Sequence, residues 1–290
     1  MIYERAWRQS NVATMVDDKD PRLAVVTGAS SGIGRAAAEE FARRGWSVAL
    51  VGRDPGRLAE ATSGVRAAAR GGAVTSYACD FAVLDEVRGL AERLRADHPH
   101  VDVLANNAGG AVGRRYTTVD GFELTMQTNH LAPFLLSNLL RDRLAGGRMV
   151  NTASAAHAAG RLDPADLNGE RARFTRFGAY GAAKQANILF ALEAAGRWPD
   201  IVSAAYHPGV VRTRFGNDSP VVTFFYRRAP FLRTPAQGAD TMLWLATAPE
   251  TTITSGGYYV NRKLTQPSRR ASDPALASAL WEASSKAVGL

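Results

Sequence analysis

Tyr180 and Lys184 lie four residues apart in the stretch AYGAAKQANILFALE, whose apolar residues recur at helical spacing. Residues i and i+4 share one face of a helix, so the Lys184 ammonium is predicted to lie beside the Tyr180 phenol. A free tyrosine has a pKa of about 10, and a neighbouring cation lowers that pKa towards neutrality. The chain has 4 lysines and 31 arginines, and a planar guanidinium would not replace a compact ammonium here. The pair is a candidate acid–base couple.

A glycine-rich stretch, VVTGASSGIGRAAAEE, follows a β-branched run and opens an Ala-rich helical run. Glycines between a strand and a helix let the backbone turn sharply and approach a pyrophosphate, which then faces the positive end of the helix. The spacing is G-x-x-x-G-x-G, not the commoner G-x-G-x-x-G, and three glycines can also mark a simple turn. Its position after the first strand favours a dinucleotide site. The candidate residues are Gly28, Ser30, Ser31, Gly32, Ile33 and Gly34.

The end of the second predicted strand bears on which dinucleotide is bound. An NAD-selective site usually has a carboxylate there, which bonds the ribose 2′-hydroxyl. This chain has LVGRD, with Arg53 first and Asp54 after it. Arginine pairs with a 2′-phosphate, which a carboxylate would repel. The sequence therefore favours NADP(H), and the alternative, NAD(H), would have Arg53 facing solvent and Asp54 on the ribose.

The order of elements predicts an α/β fold. Short strand-like runs alternate with long helical runs from RLAVVTG to a final helix near PALASALWEASSKAVG, with one long helical stretch over residues 118–145. Such alternation predicts a Rossmann-type, doubly wound parallel sheet with helices on both faces. We expect about seven strands in the order 3-2-1-4-5-6-7. Residues 21–290 are predicted to form a single domain, preceded by an extension over residues 1–20.

Composition limits the classes of function. The single cysteine, Cys79, follows an alternating run typical of a core residue, and no internal disulfide framework is expected. No apolar run reaches the ~18 residues needed to span a bilayer, so we expect a cytoplasmic protein. The net charge of +8 raises nucleic acid as a partner, yet the arginines are spread along the chain among acidic residues. Solvated surface charge and attraction for an anionic cofactor explain the positive net charge better than nucleic-acid binding does. We expect no nucleic acid and no metal as ligands.

Several ordered motifs together resemble the short-chain dehydrogenase/reductase family from about residue 22 to the C-terminus. TGASSGIG resembles its cofactor loop, NNAG at 106–109 its fourth-strand motif, and HPGVVRT at 207–213 the segment over the nicotinamide. The family's catalytic tetrad falls on Asn129, Ser154, Tyr180 and Lys184.

The resemblance implies a role for each of these four residues. Tyr180 would be the general acid/base, and Ser154 would hydrogen-bond the substrate oxygen. Lys184 would bond the nicotinamide ribose and tune Tyr180, while Asn129 would hold a water in a proton relay. Thr152 is the nearest rival to Ser154, which the register of the family's strand end favours.

The resemblance also implies further cofactor contacts and a branch of the family. Asp80 would contact the adenine, Asn106 and Ala108 would line the adenosine side, and Val211 and Thr213 would meet the carboxamide. TNHLAPFLL, SAAH and SGGYYVNRK resemble the branch of the retinol dehydrogenases and the WW-domain-containing oxidoreductase. His157 and His207 also match this branch and are interpreted as structural. Serine at position 31, basic in some NADP-dependent relatives, leaves the NADP(H) prediction resting on Arg53.

The segment RTRFGNDSPVVTFFYRRAPFLRTP is predicted to cover the substrate. It mixes aromatic residues with arginines, which fits an apolar lid, peripheral contact with a membrane, or an ordinary packed helix pair. We expect a hydrophobic small-molecule substrate with a carbonyl or alcohol. Reduction of an activated C=C bond and a catalytically silent dinucleotide-binding regulator are the alternatives. The resemblance implies a homodimer or homotetramer.

Overall fold

The computed structural model describes residues 21–211 and 232–290. Its sheet has eight strands in the order β3-β2-β1-β4-β5-β6-β7-β8, in which the neighbours from β3 to β7 are parallel and β8 is antiparallel to β7. The strands are β1 (Leu23–Thr27), β2 (Ser47–Gly52), β3 (Val74–Ala78), β4 (Val103–Asn106), β5 (Arg148–Thr152), β6 (Val202–His207), β7 (Tyr258–Val260) and β8 (Lys263–Leu264). The predicted doubly wound order is confirmed, with one strand added.

The added strand, β8, is two exposed residues long and follows a tight turn. Asn261 and Arg262 both have positive φ, 52° and 61°, as a two-residue hairpin connection requires. So short a strand, without a buried face, leaves no alternation in the sequence that could predict it.

Helices cover both faces of the sheet. They are α1 (Gly32–Arg43), α2 (Pro55–Ala68), α3 (Leu84–Asp97), α4 (Leu124–Met126), α5 (Ala132–Leu139), α6 (Arg176–Arg197), α7 (Pro235–Thr247) and α8 (Pro274–Val288). Side-chain caps fix where several of them begin. The Thr175 hydroxyl accepts from the Gly178 N–H at 3.1 Å and so sets the start of α6, the helix that carries Tyr180.

The predicted helix over 118–145 is wrong at both ends. Residues 117 and 123 form an antiparallel bridge, and the helix begins only after Glu123, whose carboxylate accepts from two backbone N–H groups at 2.9 Å. A π-helical stretch, Gln127–Leu131, then joins α4 to α5, which ends at Leu139. The apolar sequence continues through these breaks. Hydrophobic periodicity does not show where a helix is capped or where it contains a single π turn.

The core consists of two main layers, one on each side of the sheet. One layer packs α3, α5, α6 and α8 against the sheet and includes the aromatic residues Phe134, Phe190 and Trp281. The other layer packs α1, α2 and α7 against the opposite face, around Phe41, Leu50 and Tyr206. The central strands β1, β2, β4, β5 and β6 are buried on both faces between these layers, which fits their largely apolar sequences. The loops at the carboxyl ends of the strands are therefore held by a rigid scaffold.

Candidate active site

The strand order reverses between β1 and β4, which is where a doubly wound sheet opens a ligand crevice. Gly28 and Ala108 follow these two strands and lie against each other. A Cβ added to Gly28 would be 2.9 Å from the Ala108 Cα, and one added to Gly34 would be 2.5 Å from the Gly28 carbonyl oxygen. Only glycine fits at either position, so the two loops can be this close to each other at the crevice.

Two residues that the sequence reasoning did not single out brace this junction. The Thr27 hydroxyl accepts from the backbone N–H groups of Asn107 and Ala108 at 2.9 and 3.0 Å. The Asn107 side-chain amide returns a bond to the Thr27 carbonyl at 2.9 Å. Both residues lie inside stretches that carried the prediction, VVTG and NNAG, so their position in those motifs was the available signal.

The first turn of α1 is arranged to receive an anion. Gly28 and Gly32 have φ of +67° and +57°, which lets the loop turn into the helix. Ser31 precedes α1 but its side chain does not cap it, and the first turn contains no acidic residue. The first backbone N–H groups of α1 therefore face the crevice without a side-chain partner from the cap, and the geometry fits a pyrophosphate.

Arg53 and Asp54, the two candidates for the adenosine end of the crevice, differ in the contacts of their side chains. The Asp54 carboxylate caps α2 by accepting from the Arg57 N–H at 2.8 Å, and this bond lowers its pKa below the usual value. Arg53 is exposed, and none of the described carboxylates forms an ion pair with it. Ser30 lies against Gly52, the residue before Arg53, because the Ser30 Cβ is 3.3 Å from the position that a Cβ would take at Gly52. Asp54 is thus committed to the helix, whereas Arg53 is available to a ligand.

The carboxyl end of the sheet also holds Asp80, Asn106 and Ala108. Their side chains differ in whether they can contact a ligand in the crevice. The Asn106 amide nitrogen donates to Ser137 Oγ and Asn151 Oδ1 inside the core, both at 3.0 Å. Only its backbone is left to line the crevice. Asp80 is half-buried, and its Oδ1 accepts from the backbone of the loop that follows it.

Lys184 is buried directly behind Tyr180. Its side chain is 3% exposed, its Nζ donates to the Thr152 carbonyl at 3.0 Å, and it lies 5.5 Å from the centroid of the Tyr180 ring. Burial lowers the pKa of Lys184 to about 7. The two side chains therefore lie next to each other, as the i, i+4 spacing predicted, and the acid–base coupling between them stays a prediction.

Ser154 and its rival Thr152 face different surroundings. The Thr152 hydroxyl is buried and donates to Tyr206 Oη at 3.4 Å, so it faces the core. Ser154 lies two residues beyond β5 at the start of a 3₁₀ turn, Ala155–Ala159, where its Oγ accepts from the Ala156 N–H at 3.2 Å. That hydroxyl keeps its own proton to donate, and it is partly exposed.

Asn129 lies in the π-helical stretch between α4 and α5. Its side-chain nitrogen donates to the carbonyls of Thr125 and Gly110 at 2.8 and 2.9 Å. Its buried Oδ1 has no hydrogen-bond partner within the described residues. Buried polar atoms are normally paired, so this oxygen is a site for an ordered water or another donor. π turns inside helices occur frequently at functional sites.

The elements that carry the four predicted catalytic residues are in contact. α6, with Tyr180 and Lys184, packs against both the 3₁₀ turn after Ser154 and the π-helical stretch with Asn129. The elements that carry a hydroxyl, a phenol, an ammonium and an amide thus meet at the carboxyl end of the sheet, beside a crevice whose geometry fits a dinucleotide. This is a constellation for moving a proton to or from an oxygen while a nucleotide cofactor reacts with the attached carbon.

Comparison with known families agrees with this geometry. The family described as short chain dehydrogenase matches residues 22–220. The chain belongs to the short-chain dehydrogenase family.

Two relatives illustrate its place among the short-chain dehydrogenases. A Streptomyces sp. (strain C5) protein provisionally named daunorubicin C-13 ketoreductase DnrU is 55% identical, over 92% of this chain and 93% of that protein. Human retinol dehydrogenase 13 is 34% identical, over 93% of this chain and 85% of that protein. The resemblance to the retinol dehydrogenase branch is confirmed.

Solved structures show the same fold. A protein of uncharacterized function from Mycobacterium paratuberculosis superposes with a TM-score of 0.76 at 32% identity, over 93% of this chain and 94% of that one. A short-chain dehydrogenase from Sphingobium yanoikuyae, solved in complex with NADPH, superposes with a TM-score of 0.62 at 26% identity, over 77% and 82% of the two chains.

Val211, a predicted contact of the nicotinamide in this dehydrogenase, is buried and bridges to Arg233. A Cβ added to Gly238, in the first turns of α7, would lie 2.7 Å from Val211 and 3.1 Å from Ile33. Gly238 therefore lets α7 pack closely on both predicted cofactor residues. Thr213 and most of the predicted substrate-covering segment lie outside the described residues.

The two histidines of the dehydrogenase that were interpreted as structural have structural contacts. His157 Nε2 accepts from the Ser268 N–H at 3.1 Å, so its Nδ1 carries the proton and donates to the Ser154 carbonyl at 2.7 Å. His207 Nδ1 accepts from the Ala155 N–H at 3.3 Å, and burial and the nearby Arg233 lower its pKa. Both rings hold the loop that presents Ser154.

No helix among the described residues is long and apolar enough to cross a membrane. The same residues contain no cluster of three or more His, Cys, Asp or Glu side chains arranged to hold a metal ion. A homodimer or homotetramer stays a prediction.

Proposed function

We propose that this short-chain dehydrogenase is an NADP(H)-dependent ketoreductase, which interconverts a carbonyl and an alcohol on a hydrophobic molecule. The observation that carries the proposal is the buried Lys184 ammonium, 5.5 Å from the Tyr180 ring and beside the strand end that presents Ser154. Beside a nucleotide crevice, a tyrosine paired with a buried ammonium is suited to acid–base catalysis. It would exchange a proton with the substrate oxygen while the attached carbon gains or loses hydride.

The residues of the crevice fit NADP(H). The glycines at 28 and 34 leave room that a Cβ would fill, and the first turn of α1 offers backbone N–H groups to the pyrophosphate. Arg53 would hold the 2′-phosphate, since Asp54 is committed to capping α2. NADPH in the Sphingobium yanoikuyae relative supports this preference. Asp80, Asn106, Ala108, Val211 and Thr213 would complete the cofactor contacts.

Bound NADPH would supply the hydride to the carbonyl carbon. The Tyr180 phenol then donates its proton to the carbonyl oxygen as negative charge develops on that oxygen. The Ser154 hydroxyl donates a hydrogen bond to the same oxygen and stabilises the charge. The Lys184 ammonium lowers the cost of the phenolate that Tyr180 leaves behind. Asn129 Oδ1, which lacks a protein partner, would accept from a water that returns a proton.

The substrate is proposed to be a ketone on a bulky polycyclic molecule such as daunorubicin. The 55% identical relative carries a name for reduction at C-13 of daunorubicin, over 93% of its length. Phe177 adds support from this chain. It is 70% exposed, and as the residue three before Tyr180 it shares the helix face of the phenol. A large exposed phenyl ring on the same helix face as Tyr180 suits a flat apolar substrate.

The test is reduction by the purified protein with NADPH, followed by loss of nicotinamide absorbance and by product analysis. Daunorubicin, all-trans-retinal, a small aliphatic aldehyde and an enone form the substrate panel. We expect the C-13 alcohol of daunorubicin as product. An enone reduced only at its C=C bond, with no ketone reduced, would contradict ketoreduction and favour C=C reduction.

Y180F separates catalysis from binding. It removes the proton donor and keeps the ring, so turnover should fall about 10²–10⁴-fold while NADPH binding, measured by fluorescence titration, stays within about twofold. Equal turnover in Y180F and wild type would remove the proposed role of the phenol. Binding of NADPH without turnover of any carbonyl by the wild type would instead indicate a regulator.

A further inference from the structure

Asn187 shares its hydrogen-bond acceptor with the catalytic lysine. Asn187 Nδ2 and Lys184 Nζ both donate to the Thr152 carbonyl oxygen, each at 3.0 Å. Both side chains lie on α6, three residues apart, and each is 3% exposed. A carbonyl oxygen has two lone pairs, so these two donors occupy it completely.

The position of the Thr152 carbonyl decides where the ammonium stands. Lysine has a flexible four-carbon stem, so its nitrogen goes where its acceptor is. The Coulomb energy between the ammonium and a nearby phenolate depends steeply on their separation in a medium of low dielectric constant. Thr152 ends β5, and the N–H of the same peptide, that of Ala153, donates to the Tyr206 carbonyl of β6 at 2.8 Å. Asn187 supplies a buried bond on the carbonyl side of this peptide, where no described strand residue donates.

We propose that Asn187 is a positioning residue for the acid–base couple: by fixing the Thr152 carbonyl, it holds the Lys184 ammonium at a set distance from Tyr180. The proposal rests on the ketoreductase function proposed above and adds a residue outside the four predicted catalytic ones. Asn187 acts through Lys184 and is not itself a proton donor. The Asn187 amide thereby determines where the positive charge of Lys184 lies.

The test is N187L, which removes the donor and nearly conserves the side-chain volume. The Thr152 carbonyl still accepts from Lys184, so this buried acceptor keeps a donor. The buried His130 ring loses its contact with the Asn187 side chain, so thermal unfolding of N187L is measured together with its kinetics. We expect kcat for ketone reduction to fall about 10-fold. The KM values for ketone and NADPH should stay within about twofold of wild type.

The pH profile separates positioning from a structural role. Reduction needs a protonated phenol, so the rate falls as pH rises through the apparent pKa of the Tyr180–Lys184 pair. An ammonium that is less well placed lowers the phenol pKa less, and the alkaline limb of kcat in N187L should therefore move to higher pH. N187Q, which keeps an amide donor on a longer stem, should restore the limb at least in part.

Asn138 provides a matched control. Its amide likewise donates to a backbone carbonyl, that of Phe134, at 2.8 Å, but this acceptor lies within α5 and away from Lys184. N138L should leave kcat and the alkaline limb unchanged. A lower Tm in N187L with the wild-type limb and kcat would overturn the proposal and leave Asn187 a structural residue. If N187L does not fold, N187S is measured against the same criteria.

These outcomes are distinguishable from failure of the proposed function. If wild type reduces no ketone, or if Y180F reduces it equally well, the proposed function fails before Asn187 is considered. If wild type is active and depends on Tyr180 while N187L keeps the wild-type profile, only the positioning role fails.

Discussion

Arg53 is a side chain whose contribution can be measured apart from the fold, because it is exposed and no described carboxylate pairs with it. R53A should raise the KM for NADPH about 10-fold or more, since a charge-assisted bond to phosphate is lost, and should leave the KM for NADH nearly unchanged. Steady-state kinetics with both cofactors measure the ratio. R70A, which removes an exposed arginine beyond α2, is the control and should change neither value. An equal rise in the KM values for NADPH and NADH would mean that Arg53 attracts both dinucleotides by its charge and does not recognise the 2′-phosphate.

Phe177 provides a separate prediction about substrate size. F177A removes a phenyl ring that is 70% exposed on the face of Tyr180. The kcat/KM for a polycyclic ketone should fall about 10-fold, because a hydrophobic contact of this size is worth roughly 1–3 kcal/mol. The kcat/KM for a small aliphatic aldehyde should change little, because it cannot reach the ring. Parallel losses for both substrates, measured under the same conditions, would exclude a role in specificity.

Sequence reasoning reached the candidate catalytic residues in two ways: Tyr180 and Lys184 by their types and helical spacing, and Ser154 and Asn129 by the family resemblance. Tyr180 and Lys184 needed only helical geometry, which the structure confirms by placing the two side chains together. Asn187 was not predicted, because its role depends on a carbonyl contributed by β5, 35 residues earlier in the chain. Contacts between a side chain and a distant backbone atom leave no periodic signal in a sequence.

At the scale of elements, the junction between β1 and α1 depends on the absence of one side chain. A Cβ at Gly34 would lie 2.5 Å from the Gly28 carbonyl oxygen and 2.6 Å from the Asn107 amide nitrogen, closer than atoms approach without displacement. G34A should therefore abolish measurable NADPH binding and lower the Tm. Fluorescence titration and thermal unfolding measure the two effects.

Gly89 is the matched control for this substitution. It lies within α3, and a Cβ added there would have no heavy atom within 4 Å. G89A should stabilise the protein by about 0.5–1 kcal/mol through helix propensity and leave NADPH binding intact. Wild-type NADPH affinity in G34A would show that the loop tolerates a displacement and that its close packing is not required.

The elements themselves were predictable to different degrees. The strands from β1 to β7 are short β-branched or alternating runs separated by helical runs, so the sequence predicts them and their doubly wound order. The start of the α4–α5 region was mispredicted, because a carboxylate cap at Glu123 and the bridge before it determine where the helix begins. These are local hydrogen bonds, which hydrophobic periodicity does not report.

At the scale of the whole molecule, the catalytic ammonium costs stability. Burial lowers the pKa of Lys184 to about 7, whereas the unfolded chain keeps the ordinary value of 10.5. Between these values the unfolded state binds more protons than the folded state, so the free energy of unfolding rises with pH across this window. The penalty is therefore present in full below about pH 7 and disappears as pH approaches 10.5.

K184M removes that charge and keeps an unbranched side chain of similar length, while the Thr152 carbonyl retains its bond from Asn187. At pH 6–7 the cofactor-free variant should unfold at a Tm roughly 5 °C or more above wild type, since one pKa unit corresponds to about 1.4 kcal/mol. The gain should shrink steadily towards pH 10, and ketone reduction should be lost throughout. K263M, which changes an exposed lysine on β8, should show neither effect. A gain in Tm that is the same at pH 6 and pH 10 would mean that packing, not the buried charge, accounts for the difference, because only the charge couples stability to protons in this range.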